Sequence, residues 1–345
     1  MRKPTIITAV AAVAAAATLL LSGCVAGENA SAEAAKSTSG VTQGGTLNID
    51  FATYNPLSLV IKKEGWLEKA LKKQNITVNW VQSAGSNKAN EALRAGAIDV
   101  GSTAGSAALL ARANGSTIKT IDIFSQPEWS AIVVGPKSTI TSVKDLKGKQ
   151  IAATKGTDPY FFLLQALEAN GLSAKDVTIQ NLQHADGWAA LQNNSVDAWS
   201  GLDPIMANAE KSGAKLIYRN VAFNTYGFLN ATESFLASKP DVAQTVVNTY
   251  EYARAWALKH PDETASILAD VAGIDPAVAT KVITERTNLD VSPIPGDAQL
   301  KVLKKVGPIF VQSDDVRSQA DIDKALSSLL EPSFVKSADP SAIGG

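Results

Sequence analysis

The sequence predicts an α/β protein made of two lobes that face each other across a crevice. Three observations lead there. The stretch Ala92-Leu93-Arg94-Ala95-Gly96-Ala97-Ile98-Asp99-Val100-Gly101-Ser102 is echoed by Ala190-Leu191-Gln192-Asn193-Asn194-Ser195-Val196-Asp197-Ala198-Trp199-Ser200. Both read as the end of an amphipathic helix, a stop at Gly96 or Asn194 where positive φ is tolerated, and a short strand led by an apolar residue and Asp. Each strand then runs into a polar loop, Ser102-Thr103-Ala104-Gly105 or Ser200-Gly201-Leu202-Asp203-Pro204, that opens another helix. Open α/β sheets bind ligands at such strand ends. Finally, the ~300 residues that follow the N-terminal signal and tether exceed one typical domain and suit two.

The first 23 residues read as a targeting signal. Arg2 and Lys3 precede an uncharged apolar run over 6–21, which ends in Leu21-Ser22-Gly23-Cys24. That ending resembles a bacterial lipobox, which implies cleavage before Cys24 and a diacylglycerol on its sulfur. Cys24 is the only cysteine in the chain, so an intramolecular disulfide is excluded. Two acyl chains at roughly 0.8 kcal/mol per buried methylene would hold the protein to a membrane. Residues 24–45 are rich in Ala, Ser, Gly and Thr and read as a flexible tether. With a net charge of −1 and no basic run, nothing points to nucleic acid. No second long apolar stretch follows the signal, so the mature chain is not expected to span a membrane.

Lobe 1 is placed at 46–133. It starts with an alternating strand over 46–51, a break at Thr53-Tyr54-Asn55-Pro56, and a helix over 57–74. A strand over 76–81 follows, then the loop Ser83-Ala84-Gly85-Ser86-Asn87, with Ser86 or Asn87 as cap for a helix over 88–95. The strand 98–101, a helix over 106–114, and strands over 118–124 and 131–134 complete it, with Gln126-Pro127-Glu128-Trp129 between the last two. Lobe 2 is placed at 134–230. Its strand 150–153 leads to the loop Thr154-Lys155-Gly156-Thr157-Asp158-Pro159, where Pro159 suits a first helical turn and Thr157 or Asp158 its cap. A helix over 160–170, a strand over 177–182, a helix over 185–193 carrying Trp188, and the strand 196–200 come next. A helix over 204–211, a strand over 215–219 and an extended segment over 226–230, read as the crossing back to lobe 1, follow. Residues 231–335 read as the return to lobe 1 and C-terminal helices capped at Asp262, Asp275 and Asp297, and 336–345 as a tail.

The chain resembles the solute-binding proteins of ABC importers, in the branch that binds aliphatic sulfonates, taurine and nitrate. The resemblance rests on Glu91-Ala92-Leu93-Arg94-Ala95-Gly96-Ala97-Ile98-Asp99, Ser142-Val143-Lys144-Asp145-Leu146-Lys147-Gly148-Lys149 and Leu202-Asp203-Pro204. It also rests on Lys155-Gly156-Thr157 and Gln165-Ala166-Leu167-Glu168-Ala169-Asn170-Gly171-Leu172. It covers about 46–330. It implies a two-lobed periplasmic-binding-protein fold (type II-like) with the ligand in the inter-lobe crevice, no catalysis and no cofactor. It also implies partnership with a membrane permease and its ATPase subunits. The chain is read as a monomer. Three positions depart from the family pattern. Thr53-Tyr54-Asn55 stands where Tyr-Gln is common, Thr103-Ala104-Gly105 where Thr-Gly-Asp is common, and Leu202 where an aromatic is common.

A sulfonate presents three acceptor oxygens and one negative charge. Helix N-termini offer unpaired N–H groups and the positive end of the dipole. The expected contacts are therefore Ser83, Gly85 and Ser86, Thr103, Ala104 and Gly105, and Thr154, Lys155, Gly156 and Thr157. Thr53, Tyr54, Asn55, Trp129 and Trp188 are expected to hold the apolar part, and Asp203 to accept from a ligand amine or hydroxyl. Asp203 serves equally as a cap for the helix at Pro204. Asp99 and Asp197 are expected to fix turns. Alternatives are the same fold holding nitrate or a neutral or cationic heterocycle such as a thiamin pyrimidine precursor, and an enzyme of related fold. No Gly-X-Ser-X-Gly, no metal-spaced His/Cys cluster and no phosphate loop supports an enzyme or a metal site, and only His184 and His260 supply imidazoles.

Overall fold

The computed structural model describes residues 44–344, so the signal segment, Cys24 and nearly all of the tether lie outside the described residues. The chain opens with β1 (Gly45–Phe51), α1 (Pro56–Glu64), α2 (Trp66–Leu71), β2 (Ile76–Gln82) and α3 (Ser86–Arg94). Next come β3 (Val100–Ala104), α4 (Gly105–Ala113), β4 (Ile118–Ser125), β5 (Ser130–Val134), β6 (Gln150–Ala153) and α5 (Asp158–Ala169). After these lie β7 (Thr178–Asn181), α6 (His184–Gln192), β8 (Ala198–Leu202), α7 (Ile205–Lys211), β9 (Lys215–Arg219) and β10 (Gly227–Thr232). The C-terminal part is helical: α8 (Glu233–Ser238), α9 (Pro240–Lys259), α10 (Pro261–Ala272), α11 (Pro276–Lys281), α12 (Asp297–Gln312), α13 (Gln319–Ser328) and α14 (Ser333–Lys336).

Two five-stranded sheets organise these elements, in the orders β2-β1-β3-β10-β4 and β7-β6-β8-β5-β9. The orders match strand for strand. In each, three strands run parallel, and a fourth strand enters antiparallel between the third and the fifth. β10 plays that part in the first sheet and β5 in the second. The lobe boundaries therefore shift from those drawn on sequence. Residues 130–133 pair with β8 and belong to the second sheet, and 227–230 pair with β3 and β4 and belong to the first. The chain crosses between lobes at 126–129 and again at 220–226.

The echoed motif behaves alike in both halves. Gly96 (φ 67°) and Asn194 (φ 56°) take the left-handed conformation. The Asp99 carboxylate accepts from Asn48 N at 2.8 Å and the Asp197 carboxylate from Gln150 N at 2.9 Å, tying the motif to the middle of β1 and to the start of β6. The strands run later than the sequence suggested, to Ala104 and Leu202, because both are buried throughout and pair on both sides. The single helix expected over 57–74 is two, since Gly65 at φ 65° ends α1. Asp275 does cap α11, accepting from Ala277 N at 2.9 Å. Asp262 and Asp297 do not cap; the residues at those helix starts are His260 and Gly296, with Pro261 filling the first turn of α10.

A continuous apolar core joins the halves on one side. It runs from Leu109 of α4 and Ile123 of β4 through Val306 and Phe310 of α12 to Phe161 and Leu164 of α5. The Phe161 and Phe310 rings lie 4.3 Å apart. Buried Arg254 of α9 fixes the end of β4, donating to Phe124 O at 3.1 Å and Leu289 O at 2.9 Å and pairing with Asp122 at 3.3 Å.

Candidate functional site

The crevice lies where the parallel strands of both sheets end. The first turns of α1, α3 and α4 come to it from one side and those of α5, α6 and α7 from the other. Ser106 Oγ of α4 reaches Asp158 of α5 at 2.6 Å. Gly85, before α3, lies against His184, the first residue of α6. Thr53, Tyr54 and Pro56 share a narrow hollow with Pro127, Trp129, Asp203 and Arg286.

On the first side, Tyr54 is buried, donates its hydroxyl to Ser102 O at 2.9 Å and meets Trp129 edge-on at 6.1 Å. Asn55 is fully buried and engaged elsewhere, capping α1 through Ser58 N and donating to the Tyr250 hydroxyl at 3.2 Å. It therefore backs the site instead of lining it. Ser86 Oγ accepts from Ala104 N at 2.9 Å, joining the start of α3 to the end of β3. Thr103 Oγ1 donates to Ala104 O and accepts from Asn230 at 2.8 Å. A Cβ on Gly105 would lie 2.3 Å from Thr225 O, so the second crossing passes where only glycine leaves room. Gly105 N and Ser106 N are bonded to Tyr226 O and Thr225 Oγ1, which satisfies the first turn of α4 internally.

On the second side several expectations need correction. The Thr154 hydroxyl donates to Leu182 O at 2.7 Å and the Thr157 hydroxyl to Thr154 O at 2.6 Å. Each hydroxyl has one proton, so neither donates to a ligand in this arrangement. Lys155 is exposed and turns to the outside, its Nζ 5.6 Å from the Tyr160 ring. Gly156 takes φ 77° beside Asn87, where a side chain would be strained. Trp188 packs against Trp199 and shares a hollow with Lys149, Val196 and Asp197, the residues that precede β6 and β8. That is the opposite end of the sheet from the crevice. Asp203 is engaged as well: it accepts from Ala207 N at 2.9 Å and pairs with Arg286 at 3.2 Å. Burial pushes its carboxyl up to about 6 even against the pull of Arg286.

Three residues at the heart of the crevice escaped the sequence reading as site residues. Asp158, at the first position of α5, accepts from Ser106 Oγ at 2.6 Å, Trp129 Nε1 at 2.8 Å, Thr225 N at 2.9 Å and Thr225 Oγ1 at 2.5 Å. It links both lobes and both crossings. A signal is there: Asp158-Pro159 repeats Asp203-Pro204, where Asp203 is a site candidate as well as a cap, whereas Asp158 reads only as a cap. His184 is buried in the crevice. Asp50, next to the last residue of β1, is fully buried and bonded to Ser102 N at 2.9 Å and Ser102 Oγ at 3.0 Å. Among the described residues no group of three or more His, Cys, Asp or Glu is arranged to hold a metal, and no helix is long and apolar enough to cross a membrane.

Comparisons with known proteins fit this geometry. A relative from Bacillus subtilis (strain 168), named for aliphatic sulfonate binding, is 30% identical over 81% of this chain and 84% of its own. The alkanesulfonate-binding protein SsuA from Xanthomonas axonopodis pv. citri, solved bound to MOPS, superposes with TM-score 0.74 at 26% identity. The match covers 81% of this chain and 97% of that one. A Candida albicans protein of the generic periplasmic binding protein structural fold, 16% identical, shares the fold with TM-score 0.67 over 83% of this chain and 96% of its own. The two matched sheets and the crevice between them are thus the two-lobed periplasmic-binding-protein fold. The model of the NMT1/THI5-like family matches residues 59–264, and the chain belongs to that family.

Proposed function

We propose that this protein is the extracytoplasmic solute-binding component of an ABC importer. It captures a small organic anion of the aliphatic sulfonate type in the crevice and hands it to a membrane permease with its ATPase subunits. One observation carries the reading: α3 and α6 meet at the crevice with their N-terminal turns, at Gly85 and His184. The first N–H groups of a helix have no intrahelical partner, and the dipole favours negative charge there. The acid head is assigned to that pair, with Ser83, Gly85 and Ser86 beside it. The first turn of α5 is a poorer seat for an anion, because the Asp158 carboxylate already occupies it. Tyr54 and Trp129 supply apolar wall. The MOPS bound by the Xanthomonas relative is itself a sulfonate.

The test is calorimetry and thermal shift with ethanesulfonate, nitrate, sulfate and a pyrimidine. We expect saturable one-to-one binding of the sulfonate without turnover, and stabilisation of roughly 2.7 kcal/mol at a hundred times its Kd. Stronger binding of nitrate or the pyrimidine would overturn the sulfonate assignment. The proposed anchor is lipid on Cys24. Cys24→Ser is expected to abolish incorporation of labelled fatty acid, and label retained by that variant would refute it.

A further inference from the structure

We infer that the corner of the first lobe where the chain enters the fold is a docking surface for an anionic bilayer. Its centre is the lysine-rich stretch that ends α1 and α2, with Lys69, Lys72 and Lys73 foremost. The inference rests on the lipid anchor proposed above and adds which face of the protein lies against the lipid.

The first observation is an uneven charge. The whole chain is balanced, with 32 Lys and Arg against 33 Asp and Glu. Residues 62–73 instead hold Lys62, Lys63, Lys69, Lys72 and Lys73 against only Glu64 and Glu68. The inner side of this stretch is apolar, with Leu67 and Leu71 buried in the same core as Leu47 and Ile49 of β1. All five lysines are exposed. Among the described residues, lysine ion pairs are made by Lys88, Lys119, Lys149, Lys211 and Lys281, and by none of these five. Glu68 does not offset them, because its carboxylate turns inward and accepts from Trp80 Nε1 at 2.7 Å. Like charges gathered on one face repel one another, and an anionic partner laid over them relieves that repulsion.

The second observation is where the chain enters. Gly45 opens β1 and pairs with Ile76, the first residue of β2. Lys72 and Lys73 belong to the single turn that leads into Ile76. A further cation from far along the chain joins them: Lys239 Nζ reaches Thr46 O at 3.4 Å. Residues 24–43 span at most about 70 Å when fully extended, so lipid on Cys24 keeps this corner nearest the bilayer. Anionic headgroups attract Lys and Arg beside an anchor, and the attraction fades within about 10 Å at 0.1 M salt. A lipid chain with a basic patch next to it is a recurring two-part membrane signal. Here the acyl chains hold the protein, and the lysines orient it. Ammonium groups on separate flexible stems suit an extended plane of headgroups better than one small anion.

The test uses the lipidated protein on vesicles of phosphatidylcholine, with and without phosphatidylglycerol. A water-soluble reagent acylates exposed lysines, and mass spectrometry reads the rate at each. Phosphatidylglycerol should slow Lys69, Lys72 and Lys73 at least about threefold, and raised salt should restore them. Lys62 and Lys63 should be slowed with them. Lys144, Lys147 and Lys175, exposed on the second lobe, should keep their rates. The combined change Lys69→Gln, Lys72→Gln and Lys73→Gln should remove the protection of Lys62 and Lys63. Lys144→Gln, Lys147→Gln and Lys175→Gln together alter the net charge equally and should leave it in place. Equal rates on the two kinds of vesicle, equal slowing of both lysine sets, or equal effects of the two triple variants would overturn the docking surface and leave the anchor intact. Protein that carries no lipid and stays with neither kind of vesicle would overturn both.

Discussion

Asp158→Ala is expected to lower the unfolding free energy by about 4 kcal/mol or more, a large share of a typical domain's stability. The substitution leaves four buried donors facing nothing: Ser106 Oγ, Trp129 Nε1, Thr225 N and Thr225 Oγ1. Each orphaned buried group costs roughly 1–3 kcal/mol, and the sum is moderated only where water enters. Asp158→Asn keeps one acceptor oxygen and should cost less. Urea unfolding of the three proteins measures this. A loss below about 1 kcal/mol for the alanine variant would mean that the donors find water, and that the link between the crossings is weak.

The second large effect depends on pH. Burial raises the carboxyl of Asp50 from 3.8 to about 7, although Ser102 and Ser83 pull it down. Between those values the folded protein holds a proton that the unfolded chain has released. Stability from this group is therefore full below about pH 4 and is lost as the pH rises towards 7. The substitution Asp50→Asn mimics the protonated state at every pH, with the new amide oxygen accepting from Ser102 N and the new NH2 facing Ser102 Oγ. This variant should therefore gain on the wild type as the pH rises, by about 4 kcal/mol between roughly pH 4 and pH 8, at about 1.36 kcal/mol for each pH unit between the two values. Unfolding curves at several pH values decide it, and parallel profiles for the two proteins would refute the assignment.

The alternation of strand, polar loop and helix was legible because each element carries a local signature. Gly96 and Asn194 mark helix ends by backbone tolerance, and Asp99 and Asp197 mark strand starts by their short side chains. The return of 226–230 to the first lobe is legible, but the sheet that takes β5 and the place of β10 between β3 and β4 are not. A short strand buried on both faces, such as Ser130–Val134 or Gly227–Thr232, carries no alternation, and nothing in it names its neighbours. The site was harder still. Trp188 lies on a helix whose sequence fits several orientations. Thr154 and Thr157 look like donors until the backbone carbonyls beside them are known. Asp158 reads as a cap because the groups that occupy it come from residues 106, 129 and 225, and only the folded topology brings them together.

The exchange of antiparallel strands sets the order in which the protein can be built. β4 joins the first sheet only through β10, which the chain supplies about a hundred residues later. A growing chain that has passed β4 but not reached β10 holds β2, β1 and β3 with one side of β3 unpaired, and such an open edge invites pairing with other chains. The first sheet cannot close before the whole second lobe has been made, so the slow long-range step of folding falls late. A fragment cut at the first crossing would inherit the same open edge, and two fragments split there should recover the native first sheet only when mixed.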